Sequence, residues 1–305
     1  MSEEWILSGQ LPPGSPPAPE PWPAGGTVFR DALVACPIGY RPLILDLFVP
    51  HANRPVPLVL HIYGGAFATS SNKHSRLGRE LGCRLVPAGI AVATPQYRHS
   101  KEAVFPAQLH DVKAAVRWLR HHAPHLGIDA DRFAAWGSSS GGYLASMLAV
   151  TAGDPVLEGE LGITAASSAV QAAISWNAPV NFARLPTPPP ESPFAAMGQD
   201  PHDWLLGAPA EAAPDLARAA STSTYPTPHA APLQLVHGDA DPAIPISQSE
   251  ELAAAYDRVH APIEFIRVPG GGHVFDDPDR QRLIDIGTDF LQHHWTLPAT
   301  RWGTR

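Results

Sequence analysis

A serine held in a tight turn between a strand and a helix can become a nucleophile, and residues 137–142 have the form this needs. They read Gly137-Ser138-Ser139-Ser140-Gly141-Gly142, between a predicted strand at 132–136 and a predicted small-residue helix at 141–150. Such a turn exposes the central oxygen. It demands small residues two positions to either side, where strand and helix close on each other, and it places the oxygen at a helix N-terminus that favours negative charge. Of the three consecutive serines, only Ser139 has glycine at both −2 and +2. An inert Gly/Ser loop is the competing explanation, and the strand-turn-helix context weighs against it.

Two further groups would complete acyl-transfer chemistry. Tyr63-Gly64-Gly65-Ala66-Phe67 follows an apolar run ending at Ile62. A Gly-rich turn there can aim backbone N–H groups at a developing oxyanion, and Gly65, Ala66 and Ser140 are the expected donors. It is not a phosphate loop, because no Lys-Ser/Thr pair follows. An acid and a base are expected in the order Ser, Asp, His. His237-Gly238-Asp239-Ala240-Asp241-Pro242 follows the apolar run 233–236, and Pro269-Gly270-Gly271-Gly272-His273 follows the run 263–268. Both lie just beyond strand ends, where open α/β sheets gather ligands. His273 is the candidate base. Local chemistry leaves Asp239 and Asp241 equally eligible as its carboxylate.

These residues need a rigid sheet to hold them. Strands are predicted at 43–49, 57–62, 89–94, 132–136, 172–176, 233–236 and 263–268. A helix is predicted over 105–120, where Leu109, Val112, Ala115, Val116 and Leu119 form one stripe. A second runs over 247–259, opened by the capping box Ser247-Gln248-Ser249-Glu250. A last helix covers about 278–294, with Leu283, Ile286 and Phe290 facing inward. Strand and helix alternating in this way predict an α/β fold with a mostly parallel central sheet flanked by helices.

Residues 1–39 read as a Pro-rich N-terminal arm and first strand region, and 40–305 as the catalytic domain. Residues 12–23 contain seven prolines, so that stretch is expected to be extended and outside the sheet. Residues 177–232, with a second Pro-rich stretch at 186–193, read as a small cap-like insertion. Trp176, at a strand end, and Trp204, in the insertion, are the candidate substrate-binding residues. Arg98 is expected in a structural ion pair, and Trp136 in the packing of the sheet.

Composition limits the function classes. A chain of 305 residues with 44% hydrophobic and 16% charged residues is globular rather than disordered. A net charge of −8 disfavours nonspecific nucleic-acid binding, which needs a basic face. The acidic start Met1-Ser2-Glu3-Glu4 does not read as a secretory signal, and no run approaches a membrane span. A cytoplasmic location is the default expectation. Cys36 and Cys83 are expected to be buried thiols and not a disulfide framework. His121-His122-Ala123-Pro124-His125 lacks a recognised ligand spacing, so a polar helix end is preferred to a metal site.

Four blocks together resemble the esterase branch of the α/β-hydrolases that includes the feruloyl-esterase-like (BD-FAE) and hormone-sensitive-lipase-like families. They are residues 63–67, 105–119, 127–142 and 237–250, within a likeness spanning roughly 40–294. The resemblance implies an α/β-hydrolase fold and a Ser139–His273–Asp241 triad, because the family acid falls in an HGxxDPxVP block and so at Asp241. Two positions depart from the family pattern. Tyr63 stands where the family has His, and Ile244 where it has Val. The implied activity is hydrolysis of small carboxylic esters through an acyl-enzyme, on short-acyl or compact aromatic substrates, with neither metal nor organic cofactor. An aryl-formamidase is the alternative within the same chemistry, and a catalytically inactive binding protein the alternative outside it. Homo-oligomerisation is left open.

Overall fold

The computed structural model describes residues 13–23, 25–69, 73–186 and 200–296. Among the described residues, nine strands form one sheet. In chain order, the described elements begin with β1 (Glu20–Pro21), β2 (Thr27–Ala35), β3 (Leu43–Val49), β4 (Val56–Ile62), α1 (Arg76–Leu85), β5 (Ala91–Pro95) and α2 (Ala107–Leu126). They continue with β6 (Ile128–Ser138), α3 (Ser140–Val150), β7 (Ala172–Trp176), α4 (Pro201–Leu206) and α5 (Pro214–Ala220). The last are β8 (Leu233–Gly238), α6 (Ser247–Arg258), β9 (Ile263–Val268) and α7 (Asp277–Thr296). The spatial order is β1-β2-β3-β5-β4-β6-β7-β8-β9. The pairs from β1 to β5 are antiparallel, and those from β5 through β4 to β9 are parallel.

Side chains alternate across the central strand β6 as a period of two requires. Phe133 and Ala135 enter the core shared with the stripes of α2 and α3, while Ala134 and Trp136 enter the opposite core with α1 and α7. The predicted stripe of α2 is buried throughout. On α7, Leu283 and Phe290 face inward as expected, but Ile286 is only partly buried. Ile284 and Gly287 fill that face instead, since a Cβ on Gly287 would stand 2.5 Å from the Trp136 ring.

β2 falls in the expected first strand region, for which the sequence offered no bounds, and α1 was not anticipated. β2 carries a bulge at Asp31, where φ is 50° and the backbone N–H donates to Asp46 Oδ1. The bulge breaks the alternation that marks a strand. α1 contains Gly78 and Gly82, which weaken its helical signal. Gly78 is nevertheless required there, because a Cβ would meet the His61 ring at 2.7 Å.

Other expectations are corrected. The end of the Pro-rich arm does join the sheet, with Glu20 and Pro21 pairing to Val28 and Thr27. Proline is tolerated because β1 is an edge strand. The Ser247 capping box does not form. Gln248 accepts from the N–H groups of Val180 and Asn181, Ser249 bonds His237, and Glu250 pairs with Arg267. Cys83 is exposed and Cys36 partly so, both with free thiols. Arg98 does pair with buried Asp111, at 2.6 Å. Residues 1–12, most of the second Pro-rich stretch, and Phe194 lie outside the described residues. No helix among the described residues is long and apolar enough to cross a membrane.

Candidate active site

The turn from β6 into α3 explains its own glycines. A Cβ on Gly137 would lie 2.2 Å from the Gly141 backbone, and one on Gly141 only 2.0 Å from the Ile62 carbonyl oxygen. Ser139 sits at φ 54°, ψ −127°, a conformation unfavourable for an L residue. Its N–H donates to the Trp176 carbonyl at 2.7 Å, and its own carbonyl accepts the Tyr143 N–H that opens α3. The side chain is thereby raised above the sheet.

Ser139, His273 and Asp241 converge although they stand far apart in the chain. His273 Nε2 lies 3.0 Å from Ser139 Oγ, and His273 Nδ1 lies 2.8 Å from Asp241 Oδ2. The tautomer follows from the partners: Nδ1 donates to the carboxylate, leaving Nε2 to accept from the serine. Asp239 lies elsewhere, its Oδ1 accepting the Gly270 N–H at 2.7 Å. It anchors the glycine run ahead of His273.

Asp241 is enclosed by donors. Its Oδ1 accepts the N–H groups of Ala243 and Ile244 at 2.8 and 3.0 Å. Its Oδ2 also lies 3.4 Å from Nε2 of fully buried His237. His237 Nε2 donates to the Ile244 carbonyl at 2.9 Å, and Nδ1 accepts from Ser249 at 2.7 Å. Burial alone would raise the Asp241 pKa. Hydrogen bonds from His237 and His273 outweigh that and hold the carboxyl far below the usual carboxylate range. The Asp241 carboxyl is therefore ionised at neutral pH.

Across from His273, Gly65, Ala66 and Phe67 turn beside Ser139 with φ values of 157°, 53° and 55°. The Gly65 N–H is engaged by Ser140 Oγ at 3.0 Å. To serve an oxyanion it would have to leave that hydroxyl. The Ala66 and Ser140 N–H groups have no such partner among the described residues. Tyr63 is buried and stacks on Tyr97 with centroids 4.5 Å apart. Tyr97 donates to the Tyr63 carbonyl at 3.0 Å and lies 3.4 Å from Ser140 Oγ. The Tyr63 hydroxyl donates to the Tyr97 carbonyl at 3.5 Å. Tyr63→Phe should therefore lower kcat on a test ester by tenfold or less, since the loop's donors belong to the backbone. A loss comparable to removing the nucleophile would give the hydroxyl a direct catalytic part.

Nearby His61 is buried and neutral. Burial lowers its pKa to about 4, against a weaker opposing hydrogen bond to the Trp136 carbonyl. Its Nε2 accepts from Ser75, whose oxygen caps α1 at the Gly78 N–H. It fixes α1 over the cleft and is not a substitute for the family's oxyanion-loop histidine.

The cleft has a volume of about 510 Å³, with Ser139, His273, Trp176, Leu77 and Phe275 among its lining. Trp176 lines the cleft but is 2% exposed and packs in the core beneath it. Trp204 is corrected: it faces a different groove, packed under Lys101, whose Nζ lies 4.5 Å from the ring centroid. α4 is turned so that Leu205 and Leu206 fill the core, leaving Trp204 on the other side. Residues that sequence reasoning missed include Asn177, His237 and the side chain of Ser140. His237 had a visible signal, standing four residues before Asp241.

The BD-FAE family profile matches residues 45–256. Esterase LipQ of Mycobacterium tuberculosis is 29% identical over 243 residues, covering 78% of this chain and 56% of LipQ. The chain spans about half the length of the curated relatives it matches. Among solved structures, a truncated carbohydrate esterase from gut microbiota superposes with a TM-score of 0.74 and 28% identity, over 91% of this chain and 100% of that one. A bifunctional GH43-CE protein of Bacteroides eggerthii superposes with a TM-score of 0.76 and 28% identity, over 88% of this chain and 38% of its own.

Proposed function

The chain belongs to the BD-FAE family and has the α/β-hydrolase fold, and from that premise we propose that it is a serine carboxylic-ester hydrolase acting through an acyl-enzyme. The observation that carries the reading is the unbroken series from Ser139 Oγ through His273 to Asp241, with contacts of 3.0 and 2.8 Å. Ser139 attacks the ester carbonyl carbon while His273 Nε2 takes its proton. The carbonyl oxygen becomes an oxyanion held by the N–H groups of Ala66 and Ser140, with Gly65 joining if it exchanges Ser140 Oγ for the oxyanion. His273 returns the proton to the departing alcohol. Water then repeats the sequence on the acyl-enzyme and frees the acid. No step calls for a metal or organic cofactor.

Large apolar residues in the described part of segment 177–232 are taken up in packing. Phe182, Leu205 and Leu206 are buried, and Phe182 lies against Phe67 and Tyr143. A long acyl chain needs a continuous apolar channel, since each buried methylene contributes only about 0.8 kcal/mol. The reading therefore favours acetyl to butyryl groups, or a compact aromatic acyl group against Trp176. It is tested by kcat/KM over p-nitrophenyl esters from two to sixteen carbons, an acetylated sugar, a feruloyl ester and N-formylkynurenine. The expected maximum lies at short chains or the compact aromatic ester. A maximum at sixteen carbons would sink the acyl preference, and activity confined to the formamide would move the assignment to an aryl-formamidase. Absence of both turnover and fluorophosphonate labelling would leave an inactive binding protein.

A further inference from the structure

We propose that Asn177 is a positioning residue, whose carboxamide ties the strand that delivers the acid to the loop that delivers the base. The inference rests on the Ser139–His273–Asp241 reading above and concerns how that arrangement is held together.

Asn177 directly follows β7 and has φ 48°. Among residues with side chains, Asn and Asp tolerate this left-handed region best. The turn directs the carboxamide sideways across the tops of the neighbouring strands. Its Oδ1 accepts the N–H of Gly238, the last residue of β8, at 3.0 Å. Its Nδ2 donates to the carbonyl of His273 itself at 2.9 Å and lies 3.4 Å from that of Gly272. Its backbone N–H donates to Val236 at 2.9 Å. The residue is 1% exposed, so these bonds form out of competition with water.

One residue thus spans two catalytic segments. Gly238 stands three positions before Asp241, and His273 is the base. The preceding residue, Trp176, accepts the Ser139 N–H, so the end of β7 touches the backbone of Ser139, of His273 and of the strand end that leads into Asp241. The base loop needs such a tie. It rises from three consecutive glycines, and without an anchor its freedom would cost alignment between Asp241 and Ser139. Asp239 fixes the start of the run at Gly270, while Asn177 fixes its far end.

The test uses Asn177→Gly, which keeps the left-handed backbone and removes the carboxamide, and Asn177→Asp, which keeps the acceptor for Gly238 and loses the donor to His273. Both should lower kcat about 10- to 100-fold on a short p-nitrophenyl ester, with KM within about threefold. Fluorophosphonate labelling of Ser139 should slow in parallel. The downfield proton resonance of the His273–Asp241 hydrogen bond should broaden or vanish. Labelling rate and resonance unchanged in folded Asn177→Gly, whatever its Tm, would overturn the proposal and reduce Asn177 to a packing residue. If Asn177→Gly does not fold, the same outcomes in Asn177→Asp decide. Should the wild-type protein hydrolyse no ester, the functional reading fails, while the resonance still decides whether Asn177 holds the base.

Discussion

Ser139→Ala should leave the fold intact and lower kcat on a short-chain ester by about 10⁴- to 10⁶-fold. Ser139 Oγ is the hydroxyl that meets His273 Nε2, at 3.0 Å. What survives would come from substrate binding and the backbone donors. The neighbouring serines are the controls. Ser138→Ala removes a hydroxyl with no part in the scheme and should stay within about threefold. Ser140→Ala leaves its backbone donor in place and frees the Gly65 N–H from the hydroxyl it would have to leave, so a change of no more than about tenfold is expected, the scale of one neutral hydrogen bond. Ser139→Gly should be as inactive as the alanine variant yet slightly more stable, by about 1 kcal/mol, because glycine occupies φ 54° without strain. Near wild-type turnover by Ser139→Ala on any ester would refute the assignment outright.

How well this site could be read in advance depended on how local its parts are. Ser139 is set by glycines two residues away, where an added Cβ would stand only about 2 Å from neighbouring backbone, so the sequence displays it openly. His273 stands out for the three glycines before it. The choice between Asp239 and Asp241 is not local. Both follow β8 and both bond to something across the gap to the base loop, and only the three-dimensional path shows Asp241 at the imidazole and Asp239 at Gly270. Family resemblance had pointed to Asp241 where residue chemistry had not. Asn177 was invisible because its partners lie 61 and 96 residues away. The same limit misled the reading of Ser247-Gln248-Ser249-Glu250. The pattern is a valid local cap, but each of its last three side chains has a stronger tertiary use. Trp204 was misplaced because a six-residue helix has no sequence signal for which face it buries.

Asp241→Asn should lower kcat/KM by about 10³- to 10⁴-fold, while Asp239→Asn should change it by no more than about threefold. The two side chains are two residues apart and carry the same charge, so long-range electrostatics alone would make them nearly equivalent. Geometry separates them. Asp241 Oδ1 is already filled by the Ala243 and Ile244 N–H groups, so an asparagine there would keep its oxygen toward those donors and turn its NH₂ toward His273 and His237. His273 Nδ1 would then have to accept rather than donate. Its proton would move to Nε2, directly against the Ser139 hydroxyl it should deprotonate, and the imidazolium formed during attack would lose its counter-charge. At position 239 the amide oxygen of asparagine can still accept the Gly270 N–H, so the base loop keeps its anchor. Asp239→Ala, which lacks that acceptor, should fall between the two, with a loss of a few fold. The measurement is kcat/KM on a short p-nitrophenyl ester beside the rate of fluorophosphonate labelling, both corrected for active folded protein. Labelling should track turnover, because both require the base to activate Ser139. Equal losses from the two asparagine variants would remove the ground for placing the acid at Asp241.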